Sequence, residues 1–162
     1  MSNVTHDEFI KLFKGIPLDF DKALGVQCMD LVHYYVFIVL GIHDESVLSA
    51  NVAKNVWFNF NPKWDKYFKK IANVYGDLGN FPSKGDIIVW DGLWGHIAIV
   101  NDATGRELHS FDANYPAGSN PHLQRHDYTN VLGWLRPVPQ PEPESKFVVG
   151  LKQIKDIVNK LV

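Results

Sequence analysis

One cysteine, Cys28, stands in the segment Gln27-Cys28-Met29-Asp30, where an acidic loop gives way to an apolar run from Leu31 to Ile42. The hydrophobic run predicts a helix over about 27–40 with Cys28 in its first turn. There the unpaired backbone N–H groups and the positive end of the helix dipole favour a thiolate, the form that attacks a carbonyl carbon. A lone cysteine is more often a small core hydrophobe. The chemical reading therefore needs a partner, because expelling an amine takes a proton donor, which near neutral pH is histidine.

Of the seven histidines, His96 is the one placed for this. It opens the β-forming run HIAIV directly after the turn Gly92-Leu93-Trp94-Gly95. In the next strand Ser110, Asp112 and Asn114 alternate on one face while Phe111 and Ala113 point to the other. An antiparallel neighbour carrying Asp112 or Asn114 sets an acceptor against the imidazole, which is triad logic with Cys in place of Ser. Trp94, in the turn before His96, is the candidate groove wall; Trp90 and Trp134 suit the core at least as well.

A second constellation precedes the cysteine. Asp19, Asp21 and Asp30 occupy positions 1, 3 and 12 of a twelve-residue window, three of the carboxylate positions of an EF-hand-type calcium loop. Backbone carbonyls are then expected from Ala23 and Gly25. The match is partial: Leu24 stands where such loops carry Gly, and Asp30 where they carry Glu. A solvated acidic loop is the competing reading. His122 and His126, four apart, lie in a stretch rich in Gly, Ser, Asn and Pro and are read as loop residues.

The elements that must hold these groups follow from patterning. Thr5 and Glu8 have capping-box spacing ahead of Phe9, Ile10, Leu12, Phe13 and Ile16, a first helix. A helix is expected over 44–55, and another opening at Asn61-Pro62, with Trp64, Tyr67, Phe68 and Ile71 on one face. Four short β-rich runs come next, at 85–90, 96–101, 107–114 and 131–136, with turn signals at Asp91-Gly92 and Thr104-Gly105. Helices first and strands after imply an α+β domain over 1–137, its helices packed on an antiparallel sheet. The Pro- and Glu-rich segment 138–145 reads as an extended linker. Residues 146–162 carry one apolar stripe flanked by lysines, an amphipathic helix.

At 162 residues with 46% apolar and 21% charged side chains, the chain has the composition of a folded globule. A formal charge of -2 gives no general attraction to nucleic acid or anionic membrane. The longest apolar run is too short for stable membrane insertion.

The blocks DFDKALGVQCMD, GDIIVWDGLWGHIAIV, SFDAN and VLGWLRP resemble, in order, the CHAP family. These are the cysteine, histidine-dependent amidohydrolase/peptidase domains of peptidoglycan hydrolases, and the likeness runs from Thr5 to Pro137. The resemblance implies a papain-like (NlpC/P60-type) fold and cleavage of an amide bond of bacterial peptidoglycan. The activity would be that of an N-acetylmuramoyl-L-alanine amidase or an endopeptidase, in a bacteriophage endolysin. It implies Cys28 as nucleophile, His96 as general base and acid, and Gln27 as oxyanion-hole donor. Asp112 takes the place where the family usually has Glu, and Asn114 falls where many members carry Asn, so either can orient His96. It also implies a structural calcium on Asp19, Asp21 and Asp30, tying the loop to the helix start. A polar N-terminus, Met1 to Asp7, predicts synthesis in the host cytoplasm without a signal peptide and action on the wall after release. In that setting the amphipathic segment 146–162 offers self-association, a wall-binding region, or contact with an anionic bacterial surface. Two other classes compete: a non-catalytic wall-binding or virion structural module that keeps the fold, and a papain-like protease acting on protein isopeptide bonds.

Overall fold

The computed structural model describes residues 4–140. Helix α1 spans His6–Phe13, α2 Cys28–Ile38 and α3 Asn55–Phe58. A 3₁₀ turn at Pro62–Lys66 leads into six strands: β1 Phe68–Ala72, β2 Ile87–Trp90, β3 His96–Ala103, β4 Leu108–Asp112, β5 His122–His126 and β6 Val131–Pro137. They form one sheet in the order β1-β6-β2-β3-β4-β5, and every neighbouring pair is antiparallel.

Helix α1 starts where its capping box places it. The Thr5 hydroxyl accepts from the Glu8 N–H, and the Glu8 carboxylate accepts from the Thr5 N–H. Phe9 and Phe13 then point inward, Phe9 packing edge-on against Tyr35 of α2 and Phe111 of β4. Helix α2 is apolar nearly all round and buries Leu31, Val32, Tyr35 and Val36, so it runs through the core rather than over it.

Alternation divides the sheet residues, interrupted by register shifts between Val89 and Trp90 and between Val100 and Asp102. Ile87, Val89, Ile97, Ile99, Phe111 and Leu135 join the helices in one core. On the other face Ile88, Ala98, Val100, Leu108 and Trp134 form a second core whose members all come from strands.

Three expectations are corrected. The helix opening at Asn61 does not continue: Asn61 caps only the 3₁₀ turn, and Phe68–Ala72 pairs with β6 as an edge strand. Five ladder positions against β6 outweigh a brief helical periodicity, and they send Phe68 and Ile71 to different cores. The segment 44–55 is mostly turns, with only Asn55 reaching α3. Asp44 there accepts from the Ser46 N–H and hydroxyl, and Leu48 adopts φ +59°, which a helix does not allow. His122 and His126 lie on strand β5, not in a loop. The linker beyond Gln140 and the segment 146–162 lie outside the described residues.

Candidate active site

Cys28 is the first residue of α2 and is half-buried. The preceding Gln27 is extended, and its N–H donates to the Asp30 carboxylate at 2.7 Å, which closes the helix start around the sulfur. His96 begins β3. The turn that delivers it must pass close to residue 54: Gly95 sits at φ +70°, where a Cβ would lie 2.6 Å from the Lys54 nitrogen. Lys54 also holds the turn through its ammonium on the Gly92 carbonyl at 2.8 Å.

The β3–β4 register pairs Ile99 with Phe111. Carried one step on, it sets Ala98 opposite Asp112 and leaves His96 as the diagonal neighbour of that carboxylate. Asp112 Oδ1 meets His96 Nε2 at 2.5 Å. The other ring nitrogen, Nδ1, is not engaged by Asp112, and Cys28 is close enough to the imidazole to favour its protonated form. Cysteine, imidazole and carboxylate thus lie together where the start of α2 meets β3 and β4.

Asp112 is 0% exposed, and burial alone drives its carboxyl upward. Hydrogen bonds from His126, His96 and Ser110 overcome this and hold it at about 2. Burial likewise pushes the His96 imidazole down. The bond to Asp112 and the nearness of Cys28 outweigh it and raise the ring to about 9. An imidazolium beside a sulfur at a helix N-terminus is an arrangement able to offer a nucleophile and a proton donor together.

The structure separates the two candidate orienters of His96. Asp112 makes the contact. Asn114, at φ +58°, donates instead from Nδ2 to Gln27 Oε1 at 3.1 Å, while its own oxygen accepts from the Gly118 N–H. That bond decides which end of the Gln27 amide is the NH₂. One of its two hydrogens goes to the Leu24 carbonyl at 3.1 Å, and the second is left over on an amide that lines the groove with Cys28.

These residues open onto a groove of about 970 Å³. Cys28, His96, Gln27 and Asn114 lie along it, with Trp90, Trp94 and Tyr115 as aromatic walls. Trp94 is 68% exposed, as a groove wall should be, whereas Trp134 is wholly buried in the second core. His126 also lines the groove, and its Nε2 lies 3.3 Å from Asp112 Oδ2. The alternation His122, Gln124, His126 was the signal that could have placed it on a strand.

Asp19, Asp21 and Asp30 are brought together, with one carboxylate oxygen of each within 4.8 Å of the others. Asp30 is buried and accepts from the Gln27 and Phe20 N–H groups. Burial, with Asp21 and Asp19 adding repulsion, still pushes it up to about 6. Asp19 Oδ1 is buried with no hydrogen-bond partner. Three hard oxygen donors, one of them an unsatisfied acceptor, fit a divalent cation of the calcium type. Ala23 meets this cluster through its N–H on Asp21 Oδ1 at 2.9 Å, and Gly25 turns the loop at φ +68°.

No helix among the described residues is long and apolar enough to cross a membrane. The CHAP domain family matches residues 19–114, which is more than half of the chain and includes Cys28, His96, Asp112 and Asn114. Endolysin PlyTW of Staphylococcus phage Twort is 28% identical over 145 residues, covering 81% of this chain and 29% of its own length. The chain therefore spans less than a third of that relative. Among solved structures, the endolysin LysIME-EF1 superposes with a TM-score of 0.57 at 20% identity, covering 86% of this chain and 66% of that one. Ly7917, solved with the hydrolyzing product of MDP, gives 0.56 at 15% identity over 83% and 63%. In its matched sequence blocks and in its mixed fold of helices on an antiparallel sheet, this chain belongs to the CHAP domain family.

Proposed function

We propose that this chain is the catalytic part of a peptidoglycan hydrolase, of bacteriophage endolysin type, that cleaves an amide bond by a cysteine–histidine mechanism. The observation that carries this is that Cys28 and His96 line one groove, with the buried Asp112 carboxylate 2.5 Å behind the His96 ring. Kinship with an enzyme named as an endolysin supports the substrate class.

The Cys28 thiolate attacks the carbonyl carbon. The oxyanion takes hydrogen bonds from the Cys28 N–H and the free amide hydrogen of Gln27. Protonated His96 gives its proton to the departing amine nitrogen as the C–N bond breaks, which leaves a thioester and a neutral imidazole. Water then adds to the thioester, losing its proton to His96, and the sulfur departs as thiolate beside a restored imidazolium. Asp112 keeps its charge throughout and stabilises that imidazolium.

Asp19, Asp21 and Asp30 would hold calcium. The ion would supply charge compensation that fixes the loop to the start of α2. Because Asp30 also binds the Gln27 N–H, the loop and the oxyanion side of the site share one residue.

Mass spectrometry of fragments released from purified peptidoglycan tests the reading. New free amines and a defined cleaved bond are expected from the protein, and none from its Cys28→Ala variant. Release of an N-terminal L-alanine would mark an amidase, and a cut within the stem or bridge an endopeptidase. Equal release by Cys28→Ala would remove the thiol mechanism.

A further inference from the structure

We propose that His126 is a positioning residue of this site: it fixes Asp112 from the side opposite His96, so that one buried carboxylate is clamped between two imidazoles. The inference rests on the thiol-hydrolase reading above and adds a residue to it.

Each oxygen of Asp112 has its own task. Oδ1 meets His96 Nε2 at 2.5 Å, while Oδ2 lies 3.3 Å from His126 Nε2 and accepts from the Ser110 hydroxyl. A carboxylate with no solvent exposure needs donors on both oxygens, and the donors on Oδ2 stop it rotating away from His96. His126 is itself held. Its side chain is 11% exposed, and its ring lies 4.9 Å from Trp90 and 5.4 Å from Tyr115. Those same two rings flank His96, at 5.3 Å and 5.0 Å. Neither imidazole can turn without disturbing the aromatic pair that holds the other. The His126 bond is also the foremost influence drawing the Asp112 carboxyl down against burial.

His126→Phe keeps a ring between Trp90 and Tyr115 but loses the donor, whereas His126→Gln restores an N–H near Oδ2. With soluble peptidoglycan fragments as substrate, the Phe variant is expected to lose about tenfold in kcat with KM within about twofold. The Gln variant should return to within about threefold of the parent. In an Asp112→Asn background, His126→Phe should cost less than about twofold, because the group it acts through is gone. If the Phe variant does not fold, His126→Asn, which lacks the reach, takes its place.

Loss in KM alone would overturn the proposal in favour of substrate contact. An active Phe variant beside an impaired Gln variant would reduce His126 to packing, and equal loss in both would mean that the donor to Oδ2 is not what matters. An additive loss in the Asp112→Asn background would mean that it does not act through Asp112. Alkylation of Cys28 by iodoacetamide needs no substrate and should follow the same order of variants. If the parent releases nothing from peptidoglycan while alkylation still follows that order, the substrate reading fails and the positioning role stands.

Discussion

Replacing Asp112 by Asn keeps the shape of the buried side chain and removes the charge that sustains the His96 imidazolium. In the parent, His96 stands at about 9 although burial pushes it down, so Asp112 and Cys28 together more than reverse the cost of burial. Lifting the ring from its ordinary value of about 6.5 to that level corresponds to roughly 3 kcal/mol of preference for the protonated form. With the carboxylate gone, burial is opposed by Cys28 alone and the ring falls to about 6.5 or below. At pH 7.5 the imidazolium then drops from nearly complete to roughly one part in ten or less. Misorientation of the ring adds to this, so kcat/KM should fall about 10²- to 10⁴-fold at that pH. The sign is fixed by the raised value: protonated His96 is present below about 9, and activity is lost as pH rises through it. In Asp112→Asn the alkaline fall should move down by two units or more, to about pH 7 or lower. Initial rates of amine release from soluble peptidoglycan fragments between pH 5 and 10 give both limbs. An alkaline midpoint that stays near 9 in the variant would refute the assignment of Asp112 as the group holding His96 charged.

Other consequences can be checked with the same material. Gln27→Ala removes one oxyanion donor and should lower turnover about 10²- to 10³-fold, whereas Asn114→Ala only frees the Gln27 amide and should cost about tenfold; the reverse ranking would contradict the roles of the two amides. Calcium at a hundred times its Kd should stabilise the folded chain by about 2.7 kcal/mol, and EDTA should remove that gain. Asp19→Asn combined with Asp21→Asn should abolish the response, and a melting temperature indifferent to calcium in the parent would dismiss the site. Gly95→Ala puts a Cβ 2.6 Å from the Lys54 nitrogen at φ +70°, so a urea melt should show about 2 kcal/mol of lost stability or more. An unchanged midpoint would mean that the turn has slack at this point.

Much of the site could be read from residue order, because its parts obey local rules. The polar-to-apolar switch at Gln27-Cys28 places the sulfur at a helix start, since capping and hydrophobic run meet there. The glycine turn before His96 and the alternation Ser110, Phe111, Asp112 settle which side chains face together, because strand periodicity is a property of the backbone. The spacing of Asp19, Asp21 and Asp30 likewise proved to be proximity. What residue order left undecided were choices between partners. Alternation would put Asp112 and Asn114 on the same face, but β4 ends at Asp112, and the β3–β4 register with the left-handed turn at Asn114 gives His96 to one and Gln27 to the other. Residues 61–71 have helical spacing, yet β6 offers Phe68–Ala72 a ladder, and non-local hydrogen bonds prevail over a short local preference. His126 is fourteen residues beyond Asp112 in a segment rich in turn formers, so nothing local ties them. Their meeting is made by the pairing of β4 with β5, which brings the two strands side by side around one buried carboxylate that has to be satisfied on both oxygens.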